Sequence, residues 1–224
     1  MDFRYSGMVE TLTESKKYMT TMRWVMVLIN MIVASRTETD GYDGRHLVLP
    51  FASSLLPAID PNDMTKTLTA LSCLCIVISY INVVDCSSLS DTIEDETKRE
   101  ICHGTGGFDD FVVQLLDRVF TLIENRAHEN TRMADSRIAN SVNMEDISLQ
   151  RIIWAVFRPL ATHSSSAICK IAVDKIVSFA LSHTLETDVS GRLFSAICQA
   201  YAVSRPDIIL PKLLPKLCAS VEHL

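Results

Sequence analysis

The side chains able to do chemistry are dispersed: seven cysteines (Cys73, Cys75, Cys86, Cys102, Cys169, Cys198, Cys218) and six histidines lie among 224 residues. Cys73 and Cys75 are two apart in a helical stretch, so they point about 160° from each other and cannot share a metal. No His-x-x-x-His spacing occurs. Cys102-His103 could be drawn as nucleophile and base, but sequence neighbours seldom face each other, and the sequence supplies no orienting Asp or Asn. Gly104-Thr105-Gly106-Gly107 before a helix has the form of a phosphate loop, whose glycines let backbone N–H groups close on an anion. Asp109 and Asp110 then place negative charge in the first helical turn, where the phosphate would sit, and no Gly-Lys-Ser/Thr follows. The tetrapeptide reads as a linker turn. No carboxylate pair has an acid–base setting either, so the expectation is a non-enzyme with no catalytic, cofactor-binding or metal residue.

The elements that carry these residues are organised around 45–88. Two apolar segments are separated there by Asp60-Pro61-Asn62-Asp63, a proline with a fixed φ among Asp/Asn side chains that accept from unpaired N–H groups. The stretch predicts a helix hairpin. Its first arm holds Pro50 and Pro57 and should be kinked or broken. Its second arm, 63–84, is apolar nearly all round, with Leu68, Leu71, Leu74, Cys75, Ile78 and Ile81 in one stripe and Ile76, Val77 and Tyr80 widening it. A helix of that kind belongs in the inner layer of a stack.

Elsewhere the pattern is helical throughout, with no convincing alternating strand. Residues 1–21 read as a frayed lead-in, followed by a stripe of Trp24, Val25, Leu28, Ile29 and Ile32 and a Gly/Asp-rich loop at 37–44. Residues 90–107 read as a linker with a short helix near 95–102. Phe108, Phe111, Val112, Leu115, Val119, Leu122 and Ile123 define the clearest amphipathic helix, 108–126, with Asp110, Gln114, Asp117, Arg118 and Thr121 opposite. The polar stretch 127–144 reads as a poorly ordered second linker. Helix resumes at 145–158 through Ile147, Ile152, Ile153, Val156 and Phe157, and Pro159 should bend or end it. Ser164 to Ser166 offer caps for a helix to about His183, Thr187 or Asp188 caps the next, and Arg205-Pro206-Asp207 starts the last. Asp188-Val189-Ser190-Gly191-Arg192 has a HEAT-like turn form, with an Asp to cap and an Arg one turn on, and reads as structural.

Leu213-Leu214-Pro215-Lys216-Leu217 echoes Leu55-Leu56-Pro57-Ala58-Ile59, and Leu210-Pro211 echoes Leu49-Pro50. Recurrent proline-bearing helix pairs that bury their apolar faces only by stacking are the sequence form of a HEAT-type solenoid. The expected fold is therefore all-α, a right-handed HEAT-like α-solenoid segment of about three to four stacked antiparallel helix pairs, continuous over 1–224.

Four stretches also resemble the middle region of the proteasome activator complex subunit 4 family, large HEAT-repeat proteins. They are Leu55-Leu56-Pro57-Ala58-Ile59-Asp60-Pro61-Asn62-Asp63, Val83-Val84-Asp85-Cys86-Ser87-Ser88, Asp109-Asp110-Phe111-Val112-Val113-Gln114-Leu115-Leu116-Asp117-Arg118 and Ser182-His183-Thr184-Leu185-Glu186-Thr187-Asp188-Val189-Ser190-Gly191-Arg192. The resemblance implies a non-catalytic scaffold in an activator that caps the proteasome core particle and regulates substrate entry without hydrolysing ATP. It implies nuclear and cytoplasmic localisation and links to DNA repair and histone degradation. Implied partners are the core particle, through a longer parent chain, and neighbouring HEAT repeats. The family's gate-opening tail has a penultimate tyrosine, which Val221-Glu222-His223-Leu224 lacks, and its acetyl-lysine-recognising region lies outside the matched stretch. No functional residue carries over, and the chain reads as a fragment of that parent. The alternative is an unrelated HEAT or armadillo-like interaction scaffold or transport adaptor.

Composition narrows the partners. A net charge of −6 with scattered Lys and Arg excludes a phosphate-neutralising surface, so no direct nucleic-acid partner is expected. Hydrophobic content of 48% and mean hydropathy of +0.20 suit a slice of a larger structure, and a slice without polar end caps should be poorly soluble alone. The runs 24–34 and 68–84 are too short or too polar to span a bilayer of roughly 20 helical residues, so no membrane partner is expected. An odd cysteine count within apolar stretches reads as small buried hydrophobes in a reducing compartment, and the absence of Asn-x-Ser/Thr agrees.

Overall fold

A computed structural model describes residues 44–134, 144–182 and 188–222, and these are helical apart from turns and one extended connection. Eight α-helices follow in order: α1 (Val48–Leu55), α2 (Met64–Tyr80), α3 (Glu96–His103), α4 (Phe108–Ala134), α5 (Met144–His163), α6 (Ser166–Ser182), α7 (Asp188–Ser204) and α8 (Pro206–Glu222). Short 3-10 turns occupy Gly44–Leu47, Leu56–Ala58 and Ser87–Thr92.

The helices form two layers. α1, α4, α6 and α8 lie side by side in one, and α2, α5 and α7 in the other, with the closest packing of all between α5 and α7 and between α2 and α5. In chain order the helices alternate between the layers as pairs (α1/α2, α4/α5, α6/α7) with the first member of a fourth, and the layers meet most closely where α1 packs on α2, α4 on α7 and α7 on α8, an all-α, HEAT-like solenoid segment. α3 stands apart, as an excursion between α2 and α4 that packs on the Ser87–Thr92 turn.

The hairpin forms as its residues dictate. Pro57 ends α1 by turning the chain into the 3-10 turn, after which Ile59 is extended. Asp60 Oδ1 accepts from Asn62 N–H (2.9 Å), and Asp63 caps α2 by accepting from Lys66 N–H (2.9 Å). Thr67, fully buried, donates its hydroxyl to Asp60 C=O (2.7 Å) and accepts from Asp60 N–H (2.8 Å), which clasps the turn to the helix. The buried face of α2 is Thr67, Ala70, Leu71, Cys73, Leu74, Val77 and Ile78. Leu68, Cys75, Ile76 and Ile81 flank it half-buried, and Tyr80 is exposed, so the helix is less enclosed than its composition predicts.

α4 buries the expected Phe108, Phe111, Val112, Leu115, Val119, Leu122 and Ile123, together with Leu116 and Phe120. Phe120 stacks on Phe179 of α6 with ring centroids 4.1 Å apart, and Phe194 of α7 closes the cluster 5.5 Å from Phe179. The helix runs past Arg126 to Ala134, into the stretch expected to be a linker, because no glycine or proline interrupts 124–134 and helix-favouring Glu, Arg and Ala are frequent there. Across the pair, Arg126 forks onto Asp146 of α5 (Nε 3.1 Å and Nη2 2.6 Å from Oδ1).

Pro159 neither ends nor breaks α5, which continues to His163. A proline there removes the amide that would bond the Ala155 carbonyl. Cys75 of α2 replaces it, its thiol donating to Ala155 C=O at 3.3 Å. Both prolines of α8, Pro211 and Pro215, also sit inside a continuous helix, on a solvent-facing side where water can solvate the freed carbonyls. The proline echo therefore falls on helices of one layer, α1 and α8, but breaks only the first.

One edge of the stack is laced corner to corner. Val83, in the extended exit from α2, donates to His163 C=O (3.0 Å) and accepts from Ser165 N–H (2.9 Å), an isolated parallel bridge. Ser165 caps α6 by accepting from Ile168 N–H (3.3 Å). Arg205, just before α8, reaches back to Ser164 C=O (3.4 Å) and Ser166 Oγ (3.0 Å). On the other layer's surface, Lys175 of α6 pairs with Asp117 of α4 (2.7 Å) and Lys212 of α8 pairs with Asp174 of α6. The 24–34 stripe and the Thr187 cap lie outside the described residues, as do 135–143.

Candidate functional site

The cysteines divide by environment. Cys73 and Cys169 are buried, Cys75, Cys86, Cys102 and Cys198 half-buried, and Cys218 exposed. Burial pushes the thiols of Cys73, Cys75 and Cys169 up, and that of Cys198 up to about 11. Cys169 donates to Ala161 C=O near the end of α5 (3.6 Å), as Cys75 does to Ala155 C=O. The Cys75 and Cys169 thiols thus add a hydrogen bond to a carbonyl to their role as small apolar groups. Cys86 and Cys102 lie outside the stack proper, in the α3 excursion.

That excursion is more than a linker. Gly104 packs so closely on the turn before α1 that a Cβ would meet His46 Cα at 3.0 Å, and a Cβ on Gly106 would meet Ser87 Cβ at 3.1 Å. Gly107 has φ +97°, a left-handed conformation that places α4 after the turn. The amides of Gly104, Thr105, Gly106 and Phe108 donate to the carbonyls of Glu100, Cys102, His103 and Thr105, so they are turned inward and offer nothing to a phosphate. Asp109 and Asp110 occupy the first turn of α4 as expected. The side chain with which Cys102 interacts is that of Cys86.

An open groove of about 520 Å³ runs beside α3, lined by Ser90, Asp91, Glu96, Thr97, Arg99, Glu100 and His103. Arg99 is held there by its own backbone, donating to Ile93 C=O (3.1 Å) and Glu94 C=O (3.3 Å). Among the described residues no three His, Cys, Asp or Glu side chains converge as metal ligands. At the α5–α6 corner, Ser164 Oγ and the hydroxyl of fully buried Tyr201 have no hydrogen-bond partner, and burial, then Cys169, pushes that phenol well above its usual range. No sequence signal marked it, because Tyr201 lies on an ordinary apolar stripe. No described helix is long and apolar enough to cross a membrane.

The arrangement defines a class: an open, stacked HEAT-like segment whose chemical groups hold the stack together. Comparison with known proteins makes it specific. The family described as "Proteasome activator complex subunit 4, mid HEAT repeats region" matches residues 2–98 and 89–223. The chain is 33% identical over 218 residues to "Proteasome activator complex subunit 4" of Xenopus laevis, 30% over 218 residues to that of Homo sapiens, and 31% over 224 residues to "Proteasome activator complex subunit 4B" of Danio rerio. Each match covers 96% of this chain and 12% of the relative. The chain belongs to the proteasome activator complex subunit 4 family, within its mid HEAT repeats region. It spans about 12% of the length of these relatives.

Proposed function

We propose that this chain is a non-catalytic scaffold segment of an ATP-independent proteasome activator that binds the end of the proteasome core particle and regulates substrate entry. The observation that carries this reading is the family match along nearly the whole chain. The geometry is compatible with it: successive helix pairs stack without a gap, and the side chains that could do chemistry serve as caps, clasps and ties between pairs. In this reading the segment supplies curvature and spacing, its neighbours are further HEAT repeats, and contact with the core particle is made by the whole protein. Action in nucleus and cytoplasm, in DNA repair and in histone degradation is part of the same proposal. Family membership removes the alternative of an unrelated HEAT or armadillo scaffold.

The test uses the endogenous polypeptide, captured with an antibody against residues 92–107, a stretch with no fully buried residue and an exposed run at 94–100. Co-sedimentation with core particles, and faster cleavage of a fluorogenic peptide by those particles without ATP, is the expected result. Failure of the captured protein to bind core particles overturns the proposal.

A further inference from the structure

Cys86 and Cys102 are sixteen positions apart in the sequence and fit no cysteine motif. The fold nevertheless brings them together. Cys86 N–H donates to Thr105 Oγ1 at 2.9 Å, and the same hydroxyl donates to Cys102 C=O at 2.6 Å, so one side chain joins the two backbones. The two side chains also lie close enough to interact. Neither cysteine sits in the packed core; both are half-buried at the surface of the excursion.

Supports on both sides fix this approach. Val83 is bridged to the α5–α6 corner, which holds the strand-like exit of α2. Ser87 N–H and Oγ–H both donate to Asp85 Oδ1 (2.9 and 2.7 Å), shaping the chain on either side of Cys86. Thr105 N–H donates to Cys102 C=O (3.1 Å), and Gly106 lies against Ser87. The shared Thr105 hydroxyl holds the two residues as neighbours, the first requirement of a disulfide, which spans Cα separations of about 4.4–6.8 Å.

We propose that Cys86 and Cys102 form an oxidisable dithiol, a redox modification site that peroxide converts to a disulfide clasping α3 and its groove to the exit of α2. The sequence of steps balances. The Cys86 thiolate attacks one oxygen of hydrogen peroxide, forming the sulfenic acid and releasing hydroxide, which takes up a proton to become water. The Cys102 sulfur then attacks the Cys86 sulfenic sulfur; the S–S bond forms, the S–O bond breaks, and the Cys102 proton leaves with the hydroxide as a second water. Two thiols and one peroxide give one disulfide and two waters. The order follows from the environment: desolvation, and then the neighbouring Cys86, push the Cys102 thiol up, so it keeps its proton until the sulfenic acid has formed.

The test is a disulfide map of the 224-residue chain after brief exposure to stoichiometric hydrogen peroxide near pH 7.4. Cleavage after Tyr80 and after Lys98 places Cys86 and Cys102 in different peptides, separate from Cys73 and Cys75. A linked Cys86–Cys102 peptide pair, lighter by two hydrogens and lost on adding dithiothreitol, is expected as the dominant disulfide. In Cys102→Ser the link is lost and dimedone traps a sulfenic acid at Cys86. If either serine variant fails to fold, the map of the unsubstituted chain still decides. The proposal is overturned by dimedone adducts on both cysteines without a linked pair, or by Cys86 linked to Cys73 or Cys75 in equal yield.

Discussion

Removing the Arg126 guanidinium tests whether the pair α4/α5 is held by a desolvated ion pair. Arg126 and Asp146 side chains are 11% and 9% exposed, and the fork onto Oδ1 is short at 2.6 and 3.1 Å. Glu145, 3.6 Å from the same guanidinium, is 57% exposed and adds little. Truncation to Ala leaves the Asp146 carboxylate buried without its counterion, a change that costs 3–5 kcal/mol in buried pairs generally. Residual access of water puts this case near the lower figure, about 3 kcal/mol. With a urea slope of about 2 kcal/mol per molar, the midpoint should fall by about 1.5 M. The assay is urea unfolding followed by far-UV ellipticity and by tryptophan fluorescence, Trp154 being a reporter on α5. Lys98→Ala, which breaks a pair 72% and 49% exposed, is the control and should leave the midpoint almost unchanged. The double change Arg126→Met with Asp146→Leu should recover most of the loss, because it removes both charges rather than one. An Arg126→Ala midpoint equal to that of the Lys98→Ala control would refute the argument.

Three further outcomes are expected. Cys75→Ala should destabilise the chain by about 1 kcal/mol, and by clearly less in a Pro159→Ala background, where residue 159 regains the amide that bonds Ala155 C=O; equal costs in both backgrounds would break the link between the thiol and the proline. Iodoacetamide at pH 8 should label exposed Cys218 well before Cys198, whose thiol at about 11 is ionised in only about one molecule in a thousand, and Cys198 labelling should rise about tenfold per pH unit toward pH 10. The Asp95 carboxylate is held below its usual range, first by the Lys98 backbone N–H it caps and then by the Lys98 charge. A depressed folded-state value means stability present above the ordinary carboxylate range and lost as pH falls through the lower folded value. Protection of α3 amides from hydrogen exchange should therefore decline below about pH 4, and Asp95→Ala should remove that pH dependence.

The parts of the fold that were legible in the sequence are those set by neighbours in the chain. The α4 stripe was readable because Asp110, Gln114, Asp117, Arg118 and Thr121 mark the solvent side unambiguously. The Asp60–Asp63 turn was readable because Asx and N-cap bonds close within three residues. On α2 the signal was poorer: bulk drew attention to Leu68, Ile76 and Tyr80, whereas small Ala70 and Cys73 occupy the core. Pro159 was misleading because its remedy is the thiol of Cys75, on a neighbouring helix eighty residues before the Ala155 carbonyl it serves. The Cys86–Cys102 contact was invisible for the same reason, since it depends on Thr105 and on glycines whose close approaches only the folded chain reveals. The Arg126–Asp146 pair left no mark in the sequence, because it exists only once α4 and α5 are placed together.

The distribution of these ties says how such a segment resists deformation. The most extensive packing runs along a layer, α2 to α5 to α7, and so do the surface ion pairs from α4 to α6 and from α6 to α8. The corner bonds from Val83 to Ser165 and from Arg205 to Ser164 also join successive pairs. Each pair is thus fastened mainly to the pair before and after it, which is the condition for stability that adds up from nearest-neighbour terms. Loss of one tie should loosen two adjoining pairs and leave distant ones intact, so the Arg126 and Cys75 substitutions, both acting through α5, should perturb α2, α4 and α7 before α8. That locality lets a stacked scaffold change curvature at one point while keeping its spacing elsewhere, which a compact, globally cooperative core does not provide.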